Sequence, residues 1–174
     1  MDRRSTLKLL GGGATLLALG ACAATQDPDI VDIAASSPDF TTLVAALQAV
    51  QADAILRGPG PFTVFAPTNA AFERLPAGTV ENLLLPENAN TLRNILHYHI
   101  VPGTRLTSSD ILGTRRLYNT YTGGSSEAGT LTVDGTRNRG KYGTGMIVND
   151  ANIISSDILA SNGVIHAIDK VLLP

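Results

Sequence analysis

Three histidines, one cysteine and a basic loop are the residues of this chain whose chemistry needs asking about first. His97 and His99 form an H-x-H, and His166 could add a third imidazole for zinc. On a strand that spacing turns both rings to one face; on a helix it does not, and residues 91–98 read as helix. The spacing therefore speaks against a metal, and none is expected. Serines and aspartates accompany the histidines, which raises a Ser-His-Asp hydrolase, yet there is no G-x-S-x-G elbow. Phosphate loop, C-x-x-C and nucleotide fingerprint are absent as well, so no catalytic residue and no cofactor are expected. His99 and His166 then read as buried imidazoles whose ring nitrogens bond backbone or hydroxyl groups. Arg137, Arg139 and Lys141, in the glycine-rich run 135–145, could touch anionic sugar or lipid headgroups, but a solvated hairpin loop is the preferred reading.

Cys22 stands at the end of a different kind of segment. Arg3, Arg4 and Lys8 precede an uncharged run from Leu9 to Ala21, too short and glycine-rich for the roughly 20 apolar residues of a membrane span. Residues 3–8, RRSTLK, resemble the twin-arginine export signal, with Thr6 where that pattern has a bulky Phe. Leu19-Gly20-Ala21-Cys22 resembles the lipobox of bacterial lipoproteins. That resemblance implies removal of residues 1–21, acylation of Cys22 and a polar tether over 22–28. Two or three acyl chains suffice for stable anchoring. Ala23 stands where an Asp would retain a lipoprotein at an inner membrane, so the outer membrane is the implied destination, on its periplasmic or surface face. An ordinary secretory signal with an incidental cysteine is the alternative.

A single cysteine leaves no intrachain disulfide, and a domain of about 150 residues buries roughly 68–70% of its unfolded surface without one. With 44% hydrophobic residues, no Trp, four Tyr and four Phe, the core must be mainly aliphatic. Cleavage before Cys22 takes away three basic and one acidic residue, leaving 10 Lys and Arg against 14 Asp and Glu, a net charge of −4. That balance gives no reason to expect nucleic acid as a partner.

The positioning elements follow from periodicity. Asp29 or Asp32 opens a helix carrying Ile30, Ile33 and Ala34, and Ser36-Ser37-Pro38 interrupts it. Asp39 is the expected N-cap of a helix over 40–56 with the stripe Phe40, Leu43, Val44, Leu47 and Val50. After Gly58-Pro59-Gly60-Pro61 a short strand is expected over 62–66, then helical segments over 70–75, 79–85 and 91–98 and a turn at Val101-Pro102-Gly103. Ser108 or Ser109 caps a brief segment at 110–112. From Arg116 the period changes to two, giving strands over 117–121, 130–133, 146–154 and 164–173. The last carries apolar residues on both faces, so it must be covered on both sides. Helices first and strands later indicate an α+β domain.

Two blocks make the reading more specific. Residues 63–72, TVFAPTNAAF, resemble the first signature of the fasciclin domain family, and residues 162–174, NGVIHAIDKVLLP, resemble its second. Tyr98-His99 between them looks like the family's tyrosine–histidine motif. The resemblance covers residues 29–174. It implies an α+β wedge, β-sandwich-like sheets flanked by several short helices, and a non-enzymatic role in cell adhesion or matrix contact. In animal members an Asp-Ile pair before the second signature and the tyrosine–histidine motif are implicated in integrin binding. Asp157-Ile158 and Tyr98-His99 hold those positions here, so the resemblance makes them the candidate partner-binding residues. The expected partner is a protein or polysaccharide on a cell surface or in a matrix, with the membrane held through Cys22. An envelope binding protein for a small ligand or polysaccharide is the alternative.

Overall fold

The computed structural model describes residues 27–121, 129–136 and 144–174. Among these residues seven α-helices come mostly before the strands: α1 Ile30–Ser36, α2 Thr41–Ala49, α3 Asp53–Leu56, α4 Asn69–Glu73, α5 Thr79–Leu83, α6 Ala89–Tyr98 and α7 Ser108–Ile111. The strands are β1 Phe62–Pro67, β2 Ile100–Pro102, β3 Arg115–Asn119, β4 Thr130–Asp134, β5 Ile147–Val148, β6 Ala151–Ala160 and β7 Gly163–Ile168. Their spatial order is β2-β1-β7-β6-β5-β4-β3, with β1 and β7 parallel and the other pairs antiparallel. The Tyr121 N–H donates to the Ile100 carbonyl at 2.8 Å, so the chain just beyond β3 returns to β2 at the other end of the order.

Two cores result. On one face of β1 and β7, Phe62, Val64, Ala66, Ile165 and Ala167 pack under α1, α2, α3 and α6. On the opposite face Phe65 and Ile168 meet Leu131, Val133, Val148 and Ile153 from β4, β5 and β6. The sheet is thus doubled at β6 into two packed layers with helices on one outer face, the expected α+β sandwich. Both central strands are buried along their whole length, as the two-faced apolar pattern of residues 164–168 requires.

Several expected boundaries move, each for a local reason. Asp29 caps α1, and Asp32 returns the bond to the Asp29 N–H, a reciprocal capping box. Asp39 does not cap α2, because Pro38–Phe40 form a 3-10 turn; the cap is Asn69, whose Oδ1 accepts from Thr42 N–H at 3.0 Å and the Thr41 hydroxyl at 3.2 Å. The helix expected over 40–56 breaks at Gln51, which sits in the left-handed region at φ 55°. Residues 100–102 form β2 instead of a turn, because Ile100 and Val101 are buried and pair with β1. The strand expected over 146–154 is two strands, reversed by a turn at Asn149 (φ 53°) and Asp150. The last strand ends at Ile168, and Val171 and Leu172 are buried in a tail beyond it.

The N-terminal chain leaves from one end of the central strands. Ser161 N–H bonds the Pro28 carbonyl at 3.0 Å, next to the start of β7. At that end a Cβ on Gly163 would collide with the Phe62 carbonyl oxygen, so only glycine allows β1 and β7 to pair there.

Candidate functional site

Three of the candidate residues, His99, His166 and Asp157, lie in one row across the sheet. The His99 carbonyl accepts from Phe65 N–H at 2.9 Å; Phe65 is the register partner of His166 and stacks on its ring at 5.7 Å between centroids. His166 Nδ1 in turn faces the Asp157 N–H at 3.4 Å. The row ends outside the sheet, where Asp157 Oδ1 accepts from Ser108 N–H at 2.7 Å and Oδ2 from the Ser108 hydroxyl.

Asp157 can do this because β6 is irregular there. Its pairing with β7 shifts twice, between Ile153 and Ser155 and between Ser155 and Ile158, and Asp157 takes φ 61°. Asp tolerates the left-handed region better than most residues. The bulge lifts its carboxylate toward the first turn of α7, where unpaired N–H groups welcome an anion. Ile158 pairs with Ile165 and packs half-buried against the helix-side core, while Leu159 next to it is 60% exposed.

The histidines do three different jobs. His99 Nδ1–H donates to Ile95 O at 2.7 Å and its Nε2 accepts from Leu172 N–H at 3.0 Å, pinning the C-terminal tail to α6. Burial pushes its pKa down to about 4, against a smaller upward pull from the Ile95 carbonyl. His166 Nε2–H donates to Leu106 O at 2.7 Å, and burial lowers its pKa despite that bond and the nearby Asp157. His97 lies elsewhere, edge-on to Tyr121 at 5.3 Å, with a buried Nε2 that has no partner among the described residues. Burial and then Arg93 lower its pKa. All three rings are neutral at pH 7. Tyr98 turns away from His99: its hydroxyl donates to Thr130 O at 2.9 Å and accepts from Asn149 Nδ2 at 3.1 Å, tying α6 to the second sheet layer.

The arrangement positions backbone. His166 meets the backbone of Asp157 and not its carboxylate, and Ser108 bonds that carboxylate directly. Among the described residues no three His, Cys, Asp or Glu side chains are placed to hold a metal. Cys22, Arg3 and Arg4, with the basic run Arg137, Arg139 and Lys141, lie outside the described residues.

Sequence reasoning missed the strongest anchor. Asn162, the first residue of the second signature block, accepts from Ile30 N–H at 3.1 Å and donates through Nδ2 to the carbonyls of Leu56 at 2.5 Å and Gly58 at 3.2 Å. Its own carbonyl accepts from Phe62 N–H at 3.0 Å. Thr63, fully buried in β1, was also overlooked: its hydroxyl donates to Thr104 O at 2.7 Å and accepts from Leu106 N–H at 2.9 Å. A polar residue amid a β-run was the available signal.

The fasciclin domain family model matches residues 38–174. The chain belongs to the fasciclin family. Helix α1, outside that match, is nonetheless packed into the helix-side core. Over 145 residues this fasciclin chain is 48% identical to protein sll1483 of Synechocystis, covering 83% of this chain and 73% of that one. It is 36% identical to the immunogenic protein MPB70 of Mycobacterium bovis (86% and 70% covered) and 34% identical to the cell surface glycolipoprotein MPB83 of the same species (86% and 61%). Its fold matches a FAS1 domain pair from the insect cell adhesion molecule fasciclin I, with a TM-score of 0.71 at 16% identity, covering 86% of this chain and 52% of that one.

Proposed function

We propose that this fasciclin protein is an exported, lipid-anchored envelope module that makes contact with a protein or polysaccharide on a cell surface or in a matrix, without turning over a substrate. Residues 1–21 direct export, Cys22 carries the acyl chains, and residues 23–28 form the tether. Kinship with a cell surface glycolipoprotein and a fold shared with a cell adhesion molecule support the reading. The observation that carries it is the irregular stretch of β6, where two register shifts set Asp157 at φ 61° beside the half-buried Ile158 and the 60% exposed Leu159. These three residues form the contact surface; His99 backs it from within through Phe65 and His166, and Tyr98 ties α6 to the second sheet layer.

Three experiments test it. Deleting the gene should reduce cell aggregation and surface attachment; unchanged behaviour counts against the adhesive role. Cys22→Ala should move the protein from the membrane to the soluble fraction, and persistent membrane association would refute the lipid anchor. Lys at both Arg3 and Arg4 should block export, whereas normal export would mean the general secretory route. The second reading, an envelope receptor for a small ligand or polysaccharide, is favoured by a cleft of about 340 Å³ at the end of the strands remote from the tether.

A further inference from the structure

Strands β1 and β7 run parallel for six residues, so their two ends are roughly 17–20 Å apart. The tether emerges at the Phe62–Gly163 end. At the other end a cleft of about 340 Å³ is lined by Thr68, Ala70, Arg74, Asn152, Ile154 and Asp169. That volume is at the small end of ligand pockets, which span about 300–1,000 Å³.

Its polar wall is built, not incidental. Asp169 Oδ1 accepts from Asn152 N–H at 2.8 Å, Oδ2 accepts from Asn152 Nδ2 at 3.0 Å, and Arg74 Nη1 lies 3.2 Å from Oδ2 while donating to Asp169 O at 2.8 Å. These bonds fix the guanidinium and the amide in place. They also leave recognition capacity over: the Nε and Nη2 of Arg74, the Oδ1 of Asn152 and the Thr68 hydroxyl have no protein partner among the described residues. Opposite them Ala70 is exposed and Ile154 is 43% exposed, an apolar wall beside the polar one.

Charge selects the ligand. Arg74 is offset by Asp169. An anion would meet Asp169, and a cation would meet Arg74. A neutral ligand with vicinal hydroxyls meets neither penalty. Each hydroxyl both donates and accepts, matching a guanidinium beside an amide oxygen and a hydroxyl, and the C–H face of a sugar ring suits the Ile154 and Ala70 wall. We infer that this cleft binds a single sugar ring of a neutral glycan. The inference rests on the polysaccharide form of the proposed function and gives it a site facing away from the membrane.

The test uses the exported protein extracted in a detergent without a sugar headgroup. It is titrated by ligand-detected NMR with methyl glycosides of glucose, galactose, mannose and N-acetylglucosamine, and with glucuronic acid and glucosamine as charged counterparts. At least one neutral glycoside should bind in the millimolar range, more tightly than either charged sugar. Arg74→Met should weaken it about tenfold or more, the size expected for losing hydrogen bonds from a charged donor, and Ile154→Ser should weaken it severalfold. Both positions are exposed, so both variants should unfold at the wild-type urea midpoint. No neutral sugar bound, equal binding by both variants, or a preference for glucuronic acid would each overturn the inference. Failure here and failure of the adhesive reading are separable. Arg74-dependent sugar binding in a protein whose deletion leaves aggregation unchanged removes adhesion and keeps the cleft; the reverse pair of results removes the cleft alone.

Discussion

The two ends of β7 are each closed by one Asx side chain, and they are closed differently. Asn162, just before the strand, is neutral and bonds only backbone groups, those of Ile30, Leu56 and Gly58. Asp169, just after it, is charged and bonds an exposed guanidinium together with the Asn152 amide. The first end is therefore a seam joining α1, α3 and β1, where every bond serves the fold. The second is a partly open surface whose side chains keep spare donors and acceptors. Between them runs the row from His99 to Asp157, where neutral imidazoles bond backbone in the interior. Hydrogen bonds that serve the fold are concentrated at the first end, and spare donors and acceptors at the second.

The sharpest way to break the contrast is at the seam. Asn162→Ala removes three hydrogen bonds and strands a helix N–H and two carbonyls, which should cost about 3 kcal/mol. The measurement is the urea midpoint at constant slope. Asn162→Asp should be no better, because a carboxylate can accept from Ile30 but cannot donate to Leu56 or Gly58 and would face both carbonyls. A loss under about 1 kcal/mol in either variant would mean that the seam is held by apolar packing alone.

The buried row makes a prediction of nearly equal size in the pH dependence. His99 has its pKa lowered from 6.5 to about 4 by burial, so between those values the unfolded chain takes up a proton that the folded chain refuses. Stability is then full above pH 6.5 and falls as pH drops toward 4, by roughly 3 kcal/mol for this residue. His97 and His166 are shifted in the same direction and steepen the fall. His99→Gln should flatten the dependence of the urea midpoint between pH 6.5 and 4, and an unchanged slope would contradict the neutral, backbone-bonded ring.

How much of this was legible differs between the same regions. The two-sided burial of β1 and β7 could be read from Val164, Ile165, Ala167 and Ile168, because apolar residues on both faces have no other stable use. The identity of His166 as a backbone-bonding core residue was legible for the same reason. What could not be read was which distant groups a polar side chain would satisfy. Asn69 caps α2 from 27 residues away and Asn162 reaches Leu56 from 106 residues away, and no local pattern encodes such partners. Asp157 was legible as a motif letter but not as a left-handed bulge residue, since the register shifts of β6 arise only from its pairing with β7. The cleft at Asp169 was invisible because its six lining residues come from three separate stretches of chain.

Smaller effects sharpen the contrast. Asp157→Ala should cost about 1–2 kcal/mol, the size of a lost helix cap, and should leave the Asn162 seam untouched. Asp169→Ala removes the bonds to Asn152 and Arg74 and should cost about 2 kcal/mol at neutral pH. Burial pushes the Asp169 carboxyl up, but the Asn152 hydrogen bonds and Arg74 outweigh it and hold its pKa below the ordinary carboxylate value. Its contribution is present above the unfolded value near 3.8 and is lost as pH falls through the lower folded one. The difference between wild type and Asp169→Ala should therefore persist at pH 5 and shrink only in strong acid.

Arg74 gives the smallest effect and the most informative one. Its side chain is 59% exposed, and an exposed ion pair is worth about 0–1 kcal/mol, so Arg74→Met should lower stability by no more than about 0.5 kcal/mol. If the distal end were a seam of the same kind as the Asn162 end, removing Arg74 would instead leave Asp169 short of a needed partner and cost several times that. A urea midpoint indistinguishable from wild type, measured beside Asn162→Ala under the same conditions, assigns Arg74 to recognition; a shift approaching that of Asn162→Ala would assign it to the fold and make the two ends alike.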